Sequence, residues 1–216
     1  MRLISIDIGL NNFVTVTNNI KKEPILIRGK IIKAENQWYN KITTPIRKQL
    51  DIEKDINARN KLQDNINRMA AKTLEHILKY FENVSEYLMQ YCVDNRIDTV
   101  IIGKYKILEK ENFISIPYDT FYSLLKTKCC YYGIKFSIIN ERFTSGTSFF
   151  DNEPTEKEYY DKSRRVFKHL WKCNNGDLVN ADVNDSYQIM RKAYPELFKE
   201  GVDGFLKNPI VVDIRI

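Results

Sequence analysis

The sequence has few of the features that mark several protein classes. It contains four cysteines, Cys92, Cys129, Cys130 and Cys173, and no CxxC pair. Because a zinc ribbon or a disulfide framework needs cysteines at regular spacing, neither is predicted, and no zinc is expected. No apolar run reaches the roughly eighteen residues of a membrane helix, and Met1 leads directly into a strand-like segment instead of a secretory signal. We therefore expect a cytoplasmic protein with no membrane partner.

Small-molecule catalysis also finds little support. The two histidines, His76 and His169, belong to no metal-ligand motif, and the sequence has neither a glycine-rich phosphate loop nor a nucleophile paired with a histidine. What the 216 residues do have is a formal charge of +6 and a pI near 9.0. A basic balance suits a polyanionic partner such as nucleic acid, although an ordinary solvated surface can produce the same balance.

Hydrophobic periodicity predicts the first half of the fold. Three apolar segments open the chain, LISIDI, FVTVTN and PILIRGKIIKA, and short polar connections separate them. Such segments indicate strands, and their short connections favour an antiparallel meander. From about residue 36 to 95 apolar residues recur every three or four positions, as in Leu74, Ile77, Leu78, Phe81, Val84, Leu88 and Tyr91. This spacing predicts a helical insertion, with two helices.

The second half alternates strands and helices. DTVIIG (98–103) is typical of a buried parallel strand, Pro117 can open a helix that Gly133 ends, and IKFSII supplies the next strand. The irregular segment of about 141–178 is interpreted as a surface excursion that faces nucleic acid. The last helix begins near Asn180, a suitable N-cap. This order predicts one α/β domain over 1–216, with an RNase H-like (RuvC-type) mixed sheet, flanking helices and a helical insertion.

Acidic residues occur where the first strand and the last helix would meet. Asp7 lies within an apolar strand, where a carboxylate is costly to bury unless it is paired or binds a cation. Asp182 lies in the first turn of the last helix, and Asp185 follows three residues later on the face opposite the apolar stripe. The alternative explanations are an Asx turn into Gly9 for Asp7 and, for Asp182, a charge that is favoured near a helix N-terminus. If the acids meet, their hard oxygen ligands select Mg²⁺ or Mn²⁺.

Five ordered segments resemble a known family. They are IDIGLNNFVTVTNN, VIIGK, NFISIPYDTF, YYGIKFSIINERFTSGTSFFD and NGDLVNADVNDSYQIMRKAYPELF. Together they are similar to the catalytic half of TnpB, the transposon-associated RNA-guided nuclease that is related to the type V CRISPR effectors.

This resemblance implies a RuvC-type nuclease with a catalytic, metal-binding set of Asp7, Glu141 and Asp182. The family's usual third acid would follow DTVII, but Gly103 and Lys104 stand there, and Glu141 in ERFTS substitutes. Asp185 replaces a family glycine, so it is either an extra metal ligand or a neutral change.

The resemblance also has clear departures. The upstream guide-binding region of the family is expected to be missing, because the chain starts at the first catalytic strand. Only Cys173 remains where the family has its zinc ribbon, KHLW replaces an RGLY-like motif, and Tyr105 replaces the asparagine of IGKN. A guide RNA would therefore need a separate partner chain.

Basic and aromatic residues near the predicted active edge are candidates for nucleic-acid binding. Arginine beside aromatic rings suits phosphate contact and base stacking, while a solvated loop would have a similar composition. The candidates are Lys104, Lys106, Arg142, Arg164, Arg165, Lys168, Trp171 and Lys172.

Three functions follow from these patterns. The first is a metal-dependent DNA endonuclease, derived from TnpB, that acts on single-stranded or unwound DNA. The second is a catalytically silent nucleic-acid-binding regulator or split-effector subunit. The third is a structure-selective nuclease like the Holliday-junction resolvases, which the spacing of Asp182 and Asp185 favours.

Overall fold

A six-stranded mixed sheet forms the centre of the protein. The computed structural model describes residues 1–104, 116–167 and 169–216. The strands of the sheet are β1 (Leu3–Ile8), β2 (Asn12–Asn18), β3 (Ile25–Arg28), β4 (Thr99–Lys104), β5 (Lys135–Asn140) and β8 (Ile210–Val212), and two further strands, β6 (Leu170–Lys172) and β7 (Leu178–Asn180), form a separate hairpin. The order across the large sheet is β5-β4-β1-β2-β3-β8. The predicted antiparallel meander of β1 to β3 is confirmed. The predicted buried parallel strand is β4, which lies between β1 and β5 and pairs in parallel with both.

Helices cover both faces of this sheet. The described residues form α1 (Lys30–Ile52), α2 (Ile56–Asp94), α3 (Tyr118–Tyr131), α4 (Ala181–Ala193) and short 3-10 helices at Thr144–Gly146, Lys157–Tyr159, Lys162–Arg164 and Pro195–Phe198. Side chains of a strand alternate between its faces. Ile4, Ile6 and Ile8 accordingly join the core that α2 and α3 cover, whereas Leu3 joins the core under α4. Asp7 therefore lies on the face toward α4.

The helical insertion begins earlier than predicted. β3 ends at Arg28 and α1 starts at Lys30, so the segment PILIRGKIIKA is a strand only in its first half. Gly29 separates the two elements, because the C=O of Leu10 lies where its Cβ would be and no larger residue fits that turn. The prediction of two helices is confirmed. The Asp55 side chain caps α2 by accepting a hydrogen bond from the Ala58 N–H.

The structure places the C-terminal segment and corrects one further prediction. The C-terminal segment adds β8 in parallel beside β3. The segment of 141–178 is not wholly a surface excursion, because Phe149 and Trp171 within it are completely buried. It covers the outer side of α4, so Asp185 is only 5% exposed and does not lie on a solvent-facing surface of the helix. In the described part of the chain, no helix is both long and apolar enough to span a membrane.

Candidate metal centre

Three carboxylates converge where β1 meets the start of α4. Asp7 is near the C-terminal end of β1, opposite Thr15 of β2. Ser5, two residues earlier on the same face, donates a hydrogen bond to the Ser186 C=O at 2.6 Å and so ties β1 to α4. Asn180 caps α4 by accepting hydrogen bonds from the N–H groups of its first turn. One carboxylate oxygen from each of Asp7, Asp182 and Asp185 lies within 4.8 Å of the others.

Burial and the charges of neighbouring acids make Asp7 and Asp185 hard to ionise. Burial, followed by the charges of Asp185, Glu141 and Asp182, raises the pKa of Asp7 well above its usual range. Burial also raises the pKa of Asp185 to about 7, although Arg165 acts in the opposite direction. Carboxylates that repel one another at short range are the arrangement that a divalent cation stabilises. Their oxygens fit Mg²⁺ or Mn²⁺.

Glu141 approaches the same centre from the end of β5. It follows Asn140, which pairs with Lys104 in the parallel register of β4 and β5. Its side chain lies against Gly103, and among the described residues its buried Oε1 has no hydrogen-bond partner. Burial raises the pKa of Glu141 to about 7, and its charge acts on Asp7. Glu141 is outside the close group of three acids, although its charge acts on one of them, Asp7.

Two hydrogen-bond donors and a nearby histidine surround the Asp182 carboxylate. The Asn12 side-chain amide donates a hydrogen bond to Asp182 Oδ2 at 2.6 Å. Arg165 Nη2 lies 3.0 Å from Asp182 Oδ1 and 3.3 Å from Asp185 Oδ2, and His169 Nδ1 lies 3.6 Å from Asp182 Oδ2. Asn12 and His169 are not among the predicted site residues, because no spacing in the sequence relates either residue to Asp182.

The predicted nucleic-acid-binding residues divide into two groups. Lys104, Arg142 and Lys172 are exposed. Lys104 also lines an open groove of about 590 Å³ between α3 and the ends of β4 and β5, together with Lys126 and Asn140.

The second group is engaged within the protein. Trp171 is completely buried and offers no ring face to a base, which corrects its predicted role. The guanidinium of Arg164 lies 5.1 Å from the centre of the Trp171 ring and pairs with Asp151 and Glu153. These contacts engage Arg164 in holding the excursion together. Lys106 and Lys168 lie outside the described residues.

Strand order and site together define a class of protein. An antiparallel meander is followed by two parallel strands, and carboxylates gather at the edge where β1, β4 and β5 end. This arrangement is the RNase H-like fold of the RuvC type, and the predicted fold is confirmed.

Comparison with known proteins identifies the family. A model described as a probable transposase, OrfB_IS605, matches residues 2–108, and a model described as Cas12f1-like, TNB domain, matches residues 118–189. The chain is a TnpB-like relative of the type V effectors, which confirms the resemblance, and its relatives are nucleic-acid nucleases. A search of curated proteins finds no match.

Solved structures share the fold at low sequence identity. A CRISPR-Cas12f ternary complex aligns with a TM-score of 0.68 and 20% identity over 87% of this chain and 38% of that chain. A Cas12f1-sgRNA-target DNA complex aligns with a TM-score of 0.57 and 18% identity over 87% of this chain and 49% of that chain. This chain therefore spans less than half the length of either relative.

Proposed function

We propose that the chain is a metal-dependent DNA endonuclease that hydrolyses phosphodiester bonds in single-stranded or unwound DNA. The observation that carries the proposal is the approach of Asp7, Asp182 and Asp185 to within 4.8 Å of one another. Isolated acidic groups on a surface do not need a cation, but these acids are partly or fully buried and repel one another. Relatives of the chain are nucleic-acid nucleases, which supports a phosphodiester as the substrate.

Each residue of the site has a distinct role in this proposal. Asp7, Asp182 and Glu141 would hold divalent metal, and Asp185 would be a further ligand. Such a metal would supply an activated water molecule and charge stabilisation for the leaving oxygen. Asn12 would keep the Asp182 carboxylate in place through its hydrogen bond to Oδ2.

The binding surface of the proposal uses exposed cations. Lys104, Arg142 and Lys172 attract the phosphates of a strand that crosses the edge of the sheet. One relative was solved as a Cas12f1-sgRNA-target DNA complex, so we propose DNA as the substrate and a guide RNA as a further partner.

A second candidate function is binding without cleavage. Arg165 contacts both Asp182 and Asp185, so a guanidinium already neutralises part of the charge that a metal ion would neutralise. A regulator or split-effector subunit would keep such an ion pair permanently. An endonuclease would exchange it for metal when substrate binds.

Cleavage of labelled DNA tests the two candidates. Single-stranded, double-stranded and four-way-junction DNA are incubated with Mg²⁺, Mn²⁺ or EDTA and with wild type, Asp7→Asn, Glu141→Gln or Asp182→Asn. Glu75→Gln is the matched control, because Glu75 is exposed on α2. Cleavage that needs metal and disappears in the three site variants alone supports the endonuclease, and the preferred substrate tests the resolvase alternative. Binding of DNA without cleavage under any condition supports the regulator.

A further inference from the structure

An exposed phenylalanine lies in the chain between two residues that contact the carboxylate centre. Phe167 is 69% exposed, although most phenylalanines of a folded chain are buried. Single exposed apolar residues are common and need no explanation by themselves. Phe167 is notable because of its position between two residues that contact Asp182.

Phe167 is held on a tight turn between two residues that contact Asp182. The Leu170 N–H donates to the Phe167 C=O at 3.2 Å and closes the turn. The Ala181 N–H donates to the His169 C=O at 3.0 Å and fixes the turn to the start of α4. Arg165 and His169, two residues to either side, both contact the Asp182 carboxylate, so the Cα of Phe167 is within about 7 Å of both of theirs.

The groups around this ring match the chemistry of a nucleotide. The side chains of Arg165 and His169 are 28% and 46% exposed, so a phosphate can reach donors on both sides of Phe167. The ring itself offers a flat apolar face that suits a base. An unpaired base can turn toward such a face, whereas a base within a duplex already stacks on its neighbours.

We propose that Phe167 is a substrate-contacting residue on which one unpaired base stacks, next to the phosphate at the carboxylate centre. This inference rests on the proposed function only in that the same phosphate is the one that is cut. Stacking itself requires binding and no cleavage, so it can be measured separately.

Fluorescence of 2-aminopurine provides the test. The base analogue is placed at successive positions of a single-stranded oligodeoxynucleotide, and the full chain is added in Ca²⁺, with binding followed by anisotropy. We expect quenching at one or two adjacent positions with wild type. Phe167→Ala should remove the quenching and weaken binding about tenfold, whereas Phe167→Trp should retain both effects.

Two controls separate stacking from other effects. Tyr131→Ala removes an aromatic ring that is 84% exposed at the end of α3, at the opposite edge of the sheet, and should change neither signal. Phe167→Leu keeps an apolar side chain without a ring and should behave like the alanine variant. Binding of a fully paired duplex should be the same in all variants.

Several results would overturn the inference. They are no quenching with wild type, quenching that Phe167→Ala leaves intact, a leucine variant that matches wild type, and equal losses for single strand and duplex. If quenching depends on Phe167 but no substrate is cut, the nuclease proposal fails and stacking stands. If DNA is cut but the quenching does not depend on Phe167, the stacking proposal fails and the nuclease proposal stands.

Discussion

The side chain of Glu141 lies in the space that a side chain at position 103 would fill. A Cβ placed on Gly103 would come 2.7 Å from Glu141 Cγ and 2.7 Å from Ile189 Cδ1, which is closer than real Cβ contacts. The resemblance to TnpB places an acid after β4 in most of the family. Here β4 ends with Gly103 and Lys104, and the glutamate reaches the same edge from β5. Glycine at position 103 and glutamate at position 141 therefore depend on each other.

Gly103→Ala should lower the free energy of unfolding by about 1 to 3 kcal/mol, because the added methyl group overpacks a closed site. Glu141→Ala creates the missing space. The double variant Gly103→Ala/Glu141→Ala should therefore be more stable than the sum of the two single changes predicts. Urea denaturation of the four proteins in EDTA measures this coupling. Strict additivity would show that the two positions do not compete for space.

Asp185→Asn tests whether the third aspartate is a metal ligand. At pH 8 and in EDTA we expect the variant to be more stable than wild type, because one of several repelling buried charges is removed. Added Mn²⁺ should stabilise it less than wild type, since a ligand of the metal in the folded state is lost. Thermal unfolding with and without Mn²⁺ measures both effects, with Glu75→Gln as the control. An unchanged response to Mn²⁺ would make Asp185 a neutral replacement of the family glycine.

Stability of the metal-free protein should fall as pH rises. Burial raises the pKa of Glu141 and that of Asp185 to about 7, from ordinary values near 4. Between these limits the folded state holds protons that the unfolded chain has released, so a rise in pH favours unfolding. The midpoint of thermal unfolding in EDTA should therefore decrease from about pH 5 to about pH 7 and level off above. In Glu141→Gln/Asp185→Asn this decrease should be smaller. If the unfolding midpoint of the double variant falls with pH as steeply as that of wild type, other groups cause the pH dependence.

Asn12→Ala should impair the metal centre and leave the fold intact. The variant loses the 2.6 Å hydrogen bond that fixes Asp182 Oδ2, and loss of such a support typically costs about tenfold or more in metal affinity. Titration with Mn²⁺ and the cleavage rate measure the effect. Asn11→Ala is the matched control, because Asn11 is the exposed neighbour. Equal effects of the two changes would mean that the turn, and not the hydrogen bond, is important.

Arg164→Ala should lower the stability of the fold, whereas Arg142→Ala should weaken DNA binding. Arg164 pairs with Asp151 and Glu153, whose side chains are only 9% and 14% exposed, so its removal should cost about 3 kcal/mol of stability. Arg142 is exposed, and its removal should leave stability within about 0.5 kcal/mol of wild type. Binding of DNA should weaken in Arg142→Ala, with a smaller dependence on salt. Unfolding and binding curves at several salt concentrations distinguish the two roles. If Arg164→Ala is as stable as wild type but binds DNA weakly, Arg164 contacts nucleic acid, as the sequence predicts.

The sequence alone was sufficient to predict those elements that are set by interactions between residues close together in the chain. Alternation of apolar residues predicted β1 and β2, the spacing of three and four predicted α2, and the Asn180 cap predicted the start of α4. Its ordered motifs also indicated the family. Asp7 could be singled out because a carboxylate in an apolar strand needs a partner whatever the rest of the fold is.

Tertiary structure decided the features that depend on distant segments. The sequence could not place β8 beside β3, because a three-residue strand has no periodicity of its own and pairs only with an edge that another segment supplies. Burial of Trp171 and Asp185 follows from the 141–178 segment folding over α4, so composition alone suggested an exposed loop. The contact of Arg165 with Asp182 arises in the same way. Patterns in a sequence report neighbours along the chain, whereas the geometry of this centre is set by neighbours in space.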